Sequence, residues 1–142
     1  MTKEVTVTVC SLHFAEDGQQ KAETTYNGEY YEKNGVHYLF FNELQEGFTE
    51  PVRNRYTMTA ESLEVRRSGP VSANLRFREG ERRQSTYQVP WGSLTAVFDT
   101  SRVRLDVRED RLEMQVVYRL SLNGEEQAGC DIRVRVEERK KA

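Results

Sequence analysis

The stretch GPVSANLRFREGERRQSTYQVPWGSL, Gly69 to Leu94, decides the fold class. Apolar Val71, Ala73, Leu75 and Phe77 alternate with Ser72, Asn74, Arg76 and Arg78, the two-residue period of a half-buried strand. Glu79-Gly80 reads as a turn into a second strand, so the stretch is expected to be a hairpin. Pro90-Trp91-Gly92 reads as the corner that ends it, with Pro90 presetting the backbone. Trp91 is expected to plug one end of the body.

The same period extends in both directions. Val5, Val7 and Val9 share one face, whereas Leu12 and Phe14 take the opposite parity, so a bulge is expected near Cys10-Ser11. Asp17-Gly18 marks a turn. Beyond it Thr24, Tyr26, Gly28 and Tyr30 fall on one side of a strand, where a glycine implies a bend or a close backbone approach. Asn34-Gly35 and Asn123-Gly124 are type I′ hairpin signals, since both residue types tolerate positive φ. Residues 36–41 are apolar on both faces and should be central or covered. Residues 42–51 form the one long connection, in which Phe48 pins the loop to the body.

Later strands carry Tyr56 and Met58, then Leu63 and Val65, Ala96 and Phe98, and Val103, Leu105 and Val107. The longest clean alternation runs from Leu112 through Met114, Val116, Tyr118 and Leu120 to Leu122. Ala128, Cys130, Ile132, Val134 and Val136 follow the second Asn-Gly, and a charged tail ends the chain. No segment has the spacing of an amphipathic helix. The pattern predicts an all-β single domain over residues 1–142, a closed antiparallel up-and-down barrel of about 8–10 strands. Closure is favoured because it removes exposed strand edges.

Composition agrees. Hydrophobic residues make up 37% and charged residues 31% of the 142, a balance suited to strands with one wet face. A formal net charge of −2 provides no global field for nucleic acid or anionic lipid. The N-terminus lacks a basic region followed by an apolar run, and no segment is apolar enough to span a membrane. Cys10 and Cys130 are far apart and lack metal-ligand spacing, so reduced thiols in a cytoplasmic protein are expected.

The pattern Gly69-x-Val71-Ser72-x-x-Leu75-x-Phe77-x-x-Gly80, then Tyr87-x-x-Pro90-Trp91-Gly92-x-Leu94, resembles the YwiB-like family of bacterial proteins (DUF1934). So do Gly28-x-Tyr30-Tyr31-Glu32-Lys33-Asn34-Gly35 and Tyr118-x-Leu120-x-Leu122-Asn123-Gly124, and the likeness covers essentially the whole chain. Trp91 stands where the family more often has Tyr or Phe, and Val89 where it has Thr. The resemblance implies a calycin-like, that is lipocalin-like, barrel of unknown function. It implies no activity, cofactor or catalytic residue.

Two places remain as candidate sites. On the parity taken as inward lie Tyr26, Tyr30, Tyr38, Tyr56, Tyr87 and Tyr118, with Phe40, Phe77 and Phe98. Buried phenols need hydrogen-bond partners, so several inward tyrosines point either to a wet, ligand-binding lumen or to a filled core whose hydroxyls reach the barrel mouths. Candidate ligand contacts are Tyr30, Tyr38, Tyr56, Phe77, Tyr87, Trp91 and Tyr118, for a small, partly apolar molecule.

The rival place is an outer patch of Arg53, Arg55, Arg76 and Arg78, for RNA or an acidic protein. The chain has 16 Arg against 5 Lys, many of them interleaved with acids, which reads as a solvated mixed-charge exterior. Few aromatics beyond Tyr31, Trp91 and Phe48 are candidates for exposure, so nucleic acid is not the expected partner. His13 and His37 have no ligand-spaced neighbours, and His37 reads as a surface or half-buried strand residue. No nucleophile elbow, phosphate loop or dinucleotide fingerprint is present, so neither catalytic residues nor a cofactor are assigned, and a binding module is favoured over an enzyme. Oligomeric state is left open by the sequence.

Overall fold

Strands form wherever the two-residue alternation holds, and in the computed structural model they occupy most of the chain. The structure describes residues 3–15, 18–44 and 47–139. Asp17 of the expected first turn and residues 140–142 of the expected tail lie outside them.

One meander runs through β1 (Lys3–Ala15), β2 (Gly18–Lys33), β3 (Val36–Glu43), β4 (Val52–Met58), β5 (Ser62–Ser68) and β6 (Ala73–Arg78). A second runs through β7 (Arg82–Val89), β8 (Gly92–Val107), β9 (Arg111–Leu122) and β10 (Glu125–Glu138). They join where β1 lies antiparallel to β10, with Val5 opposite Glu138 and Phe14 opposite Gly129. The resulting sheet, β6-β5-β4-β3-β2-β1-β10-β9-β8-β7, curls until its two edge strands meet. The antiparallel up-and-down barrel expected from the alternation is what forms. Both Asn-Gly turns have positive φ at each central residue: 52° and 78° at Asn34 and Gly35, 50° and 87° at Asn123 and Gly124.

The expected turn at Glu79-Gly80 forms, with Glu81 N–H donating to the Arg78 carbonyl at 2.9 Å, but the two strands it joins build no hairpin ladder. β6 and β7 are the two edges of the sheet, and they are stapled only at their ends. Ser72 and Gln88 exchange backbone hydrogen bonds of 2.9 and 2.8 Å at one end. At the other, the turn is tied to β8: Gly80 N–H donates to the Thr100 carbonyl at 2.9 Å, and Thr100 N–H to that of Glu81 at 3.0 Å. The turn is thereby drawn into the β7–β8 ladder, away from β6. The Glu81 carboxylate laces the seam between Arg76 at 3.5 Å and Arg83 at 3.6 Å.

The meander places the β2–β3, β4–β5, β6–β7 and β8–β9 turns at one end, here the lower, and the other connections at the upper end. Val5, Val7, Leu39, Met58, Met114 and Val134 fill the lower interior with almost no exposed surface. Above them Phe77, Phe98 and Tyr118 meet as a ring cluster, with centroids 4.9–5.3 Å apart.

Several expected placements are corrected. No bulge occurs near Cys10-Ser11: β1 keeps its register with both neighbours. Register shifts instead between Thr100 and Arg102 in β8 and between Glu126 and Ala128 in β10. The β8 shift explains why inward parity passes from Ala96 and Phe98 to Val103 and Leu105. Leu12 and Phe14 consequently face outward, and Ser11 and His13 inward. Cys10 is on the outer face and Cys130 on the inner, so the two thiols do not meet.

In β3 the inward residues are His37, Leu39 and Phe41, all buried. Tyr38 and Phe40 therefore face outward, and His37 is no surface residue. Trp91 does not plug the barrel: it is 74% exposed and stacks on Phe48, centroids 6.2 Å apart. No helix of the described residues is long and apolar enough to cross a membrane.

Gly28 lets three strands pack closely. It is opposite Val5 on one side and Phe41 on the other. A Cβ there would fall 2.7 Å from the Phe40 carbonyl oxygen and 3.0 Å from Val7 Cγ2. The carbonyl belongs to backbone and yields little. Gly28→Ala should destabilise the fold by about 1–3 kcal/mol, as overpacking usually does, despite alanine's better strand propensity. Urea unfolding checks this; an unchanged or raised midpoint would contradict the close packing.

Candidate functional site

Above the ring cluster polar residues join the apolar ones on the inward face. β1 contributes Ser11 and His13, β3 Glu43, β4 Asn54 and Tyr56, β5 Arg67, β7 Tyr87, and β2 Tyr26. Alternation carries each of them inward, because a strand that keeps its register cannot turn a polar residue out without turning its neighbours in. All of these but Asn54, together with Phe77 and Tyr118, line a cavity of about 380 Å³.

A charged network stands in its wall. Arg67 donates from Nη2 to Glu43 Oε1 at 2.9 Å and from Nε to Asn54 Oδ1 at 3.2 Å. Asn54 Nδ2 completes the triangle to Glu43 Oε1 at 3.5 Å. The guanidinium and carboxylate side chains are 18% and 25% exposed, so their attraction is less screened than that of a surface pair. Opposite, β1 sets His13 Nδ1 3.2 Å from Cys130 Sγ.

The surrounding phenols are held neutral. Burial raises the Tyr56 hydroxyl well above its ordinary range, with Arg67 pulling the other way. Burial also raises Tyr87 and, together with the Glu43 carboxylate, Tyr26. Tyr118 is raised by burial and by Cys130 beside it, and the Cys130 thiol is itself raised by burial. The cavity thus offers hydroxyl donors and one cation against aromatic walls. It suits a molecule with a flat apolar part and hydrogen-bond acceptors.

Of the seven ligand contacts expected from the sequence, the cavity gathers four: Tyr56, Phe77, Tyr87 and Tyr118. Tyr30 points inward at the lower end, where its hydroxyl lies 2.6 Å from His37 Nδ1. Tyr38 is outside the barrel, and Trp91 stands exposed at the upper end. Sequence reasoning missed Arg67 and Glu43, although each continues an inward series: Leu63, Val65, Arg67 and Leu39, Phe41, Glu43. The His13–Cys130 approach depends on the β1–β10 register, which no local signal encodes.

Other places fit less well. A lower-end cleft of about 270 Å³ runs between Lys3, Tyr30 and the β8–β9 turn. Lys3 there is occupied by Glu138 at 2.9 Å, and Arg108 by Asp106 at 3.3 Å. On the outer patch Arg76 pairs with Glu81 and Arg78 with Glu61. No group of three or more metal-ligating side chains occurs among the described residues.

The raised phenols make alkaline behaviour a test. Their folded-state values exceed the ordinary 10.0, so the folded chain holds protons that the unfolded chain releases. The stability this confers is intact below about pH 10 and drains away above it. In an ultraviolet titration, phenolate absorbance from Tyr26, Tyr30, Tyr56, Tyr87 and Tyr118 should lag and then rise together with loss of the circular dichroism signal. Five phenolates formed by pH 10 in a folded chain would contradict the burial described.

Comparison with known proteins agrees with the fold. The crystal structure of ywiB protein from Bacillus subtilis superposes with a TM-score of 0.86 at 22% identity, over 98% of this chain and 94% of that one. No curated protein matches the chain. The model of a domain of unknown function, DUF1934, matches residues 7–134. With that match running from β1 into β10, the chain belongs to the DUF1934 family.

Proposed function

We propose that this chain is a non-enzymatic binding module whose ligand is a small, partly apolar molecule held in the upper lumen. The observation that carries the reading is the Glu43–Arg67 ion pair in the wall of a cavity of about 380 Å³, braced by hydrogen bonds to Asn54. Placing a cation and a carboxylate inside a barrel costs desolvation that apolar side chains would not incur. The lower half shows that the same barrel packs well with valine, leucine and methionine. A polar wall beside aromatic surface is how small-molecule pockets orient a ligand, and their usual volumes begin near 300 Å³.

In this reading Tyr26, Tyr56 and Tyr87 supply flat walls and hydroxyl donors, and Arg67 receives an acceptor or anionic group of the ligand. Cys130, buried and kept as a thiol, is a poor nucleophile. That favours binding over catalysis. Two free thiols suit a reducing compartment such as the cytoplasm.

Anilinonaphthalene sulfonate, a planar apolar anion, is a direct probe. Its fluorescence should report saturable binding with one site per chain. Arg67→Met should weaken that binding at least tenfold, about 1.4 kcal/mol, while circular dichroism stays native. Equal affinity in both proteins would remove Arg67 from the site, and absence of saturable binding to the parent would overturn the lumenal reading.

A further inference from the structure

The outer face of β2–β6 carries a second set of recognition groups, independent of the lumen. Tyr31, Tyr38 and Phe40 form an aromatic stack there. Tyr31 and Tyr38 have centroids 4.8 Å apart and planes 18° apart; Tyr31 and Phe40, 5.9 Å and 16°. All three rings are only half-buried. Phe40 is directly opposite Arg55 on β4, and Arg55 directly opposite Arg66 on β5.

That arginine pair sets like charges face to face. Like charges at directly opposed positions repel. Elsewhere on the exterior the arginines mostly have acids within reach, as Arg76, Arg78, Arg82, Arg119 and Arg135 do. Among the described residues neither Arg55 nor Arg66 makes an ion pair, although Glu64 shares their groove. The groove, about 230 Å³, continues past Arg76 to Arg83 on the far side of the seam, where Glu81 is shared by those two arginines. A second hollow of about 430 Å³ runs beside Phe40 and Arg53, with Glu29 and Glu4 on its rim.

We propose that this face binds single-stranded nucleic acid. Two uncompensated guanidiniums call for an anionic occupant. An acidic peptide would satisfy them but would leave the stacked rings unused. A single strand uses both, since its bases extend an aromatic stack while its phosphates lie along the arginine row. The strand lies across β3, β4 and β5, with bases at the Tyr38–Tyr31–Phe40 stack and backbone over Arg55 and Arg66. The net charge of −2 makes the attraction local, so the interaction is confined to low or moderate salt.

The test is fluorescence anisotropy with a labelled pyrimidine-rich RNA of about twelve nucleotides, within the range of single-strand platforms. With two phosphate contacts, affinity should fall roughly sevenfold between 50 and 200 mM salt. The Arg55→Glu, Arg66→Glu double variant should lose at least tenfold. Tyr38→Leu with Phe40→Leu keeps the apolar cover but removes the rings, and should lose a similar factor while retaining the salt slope. The lumenal Arg67→Met variant should bind RNA as the parent does. No binding at 50 mM salt, equal competition by polyglutamate, or full affinity in the double-leucine variant would each overturn the proposal.

Discussion

Val5 to Phe14 of the first strand lie against Gly129 to Glu138 of the last, and the remaining placements depend on that register. The two meanders share no other full-length ladder; at the opposite side they meet through the Ser72–Gln88 bridge, the Glu81–Arg76 ion pair and the packing of Phe77 on Phe98 and Tyr118. A slip of one residue between β1 and β10 would turn Val5, Val7 and Val9 to solvent and bring Glu4, Thr6 and Thr8 inside. The lower core forbids this. Its packing of Val5, Val7, Met114 and Val134 thereby decides what happens farther up the strand, where Ser11 and His13 are carried inward.

The barrel interior therefore has two parts with different physics. Below, buried aliphatic side chains supply the hydrophobic stabilisation. Above, phenols, a carboxylate and a guanidinium share a space that side chains leave open. Their mutual hydrogen bonds reduce the cost of burial without filling the cavity. Gly28 belongs to the same design: with no Cβ it admits the Phe40 carbonyl closely, so β1, β2 and β3 pack tightly together there.

Much of the fold was legible because strand period and turn chemistry are local. Both Asn-Gly turns, the inward series of β9 and the close approach at Gly28 could be read from residues a few positions apart. Failures came where alternation was taken to mean that apolar residues face in. In β1 the apolar residues change parity at Leu12, yet the backbone does not, because the inner face there is polar by construction. In β3 both faces are apolar, so parity gave no answer; the outer stack with Tyr31 resolves Tyr38 and Phe40 to the exterior. Trp91 was misplaced because a turn signal says where a chain bends and nothing about what covers it. Half of the candidate site was legible as inward tyrosines. Arg67, Glu43 and the His13–Cys130 approach were not, since they depend on strands distant in sequence.

The division of the interior is tested most directly by a high-resolution crystal structure showing the electron density of the upper lumen. A bound molecule or a chain of ordered waters should be seen, hydrogen-bonded to the Tyr56 hydroxyl and to Arg67 within an open cavity. A lumen closed by direct packing of Tyr26, Tyr56 and Tyr87 on one another, with Arg67 turned out to solvent, would contradict it.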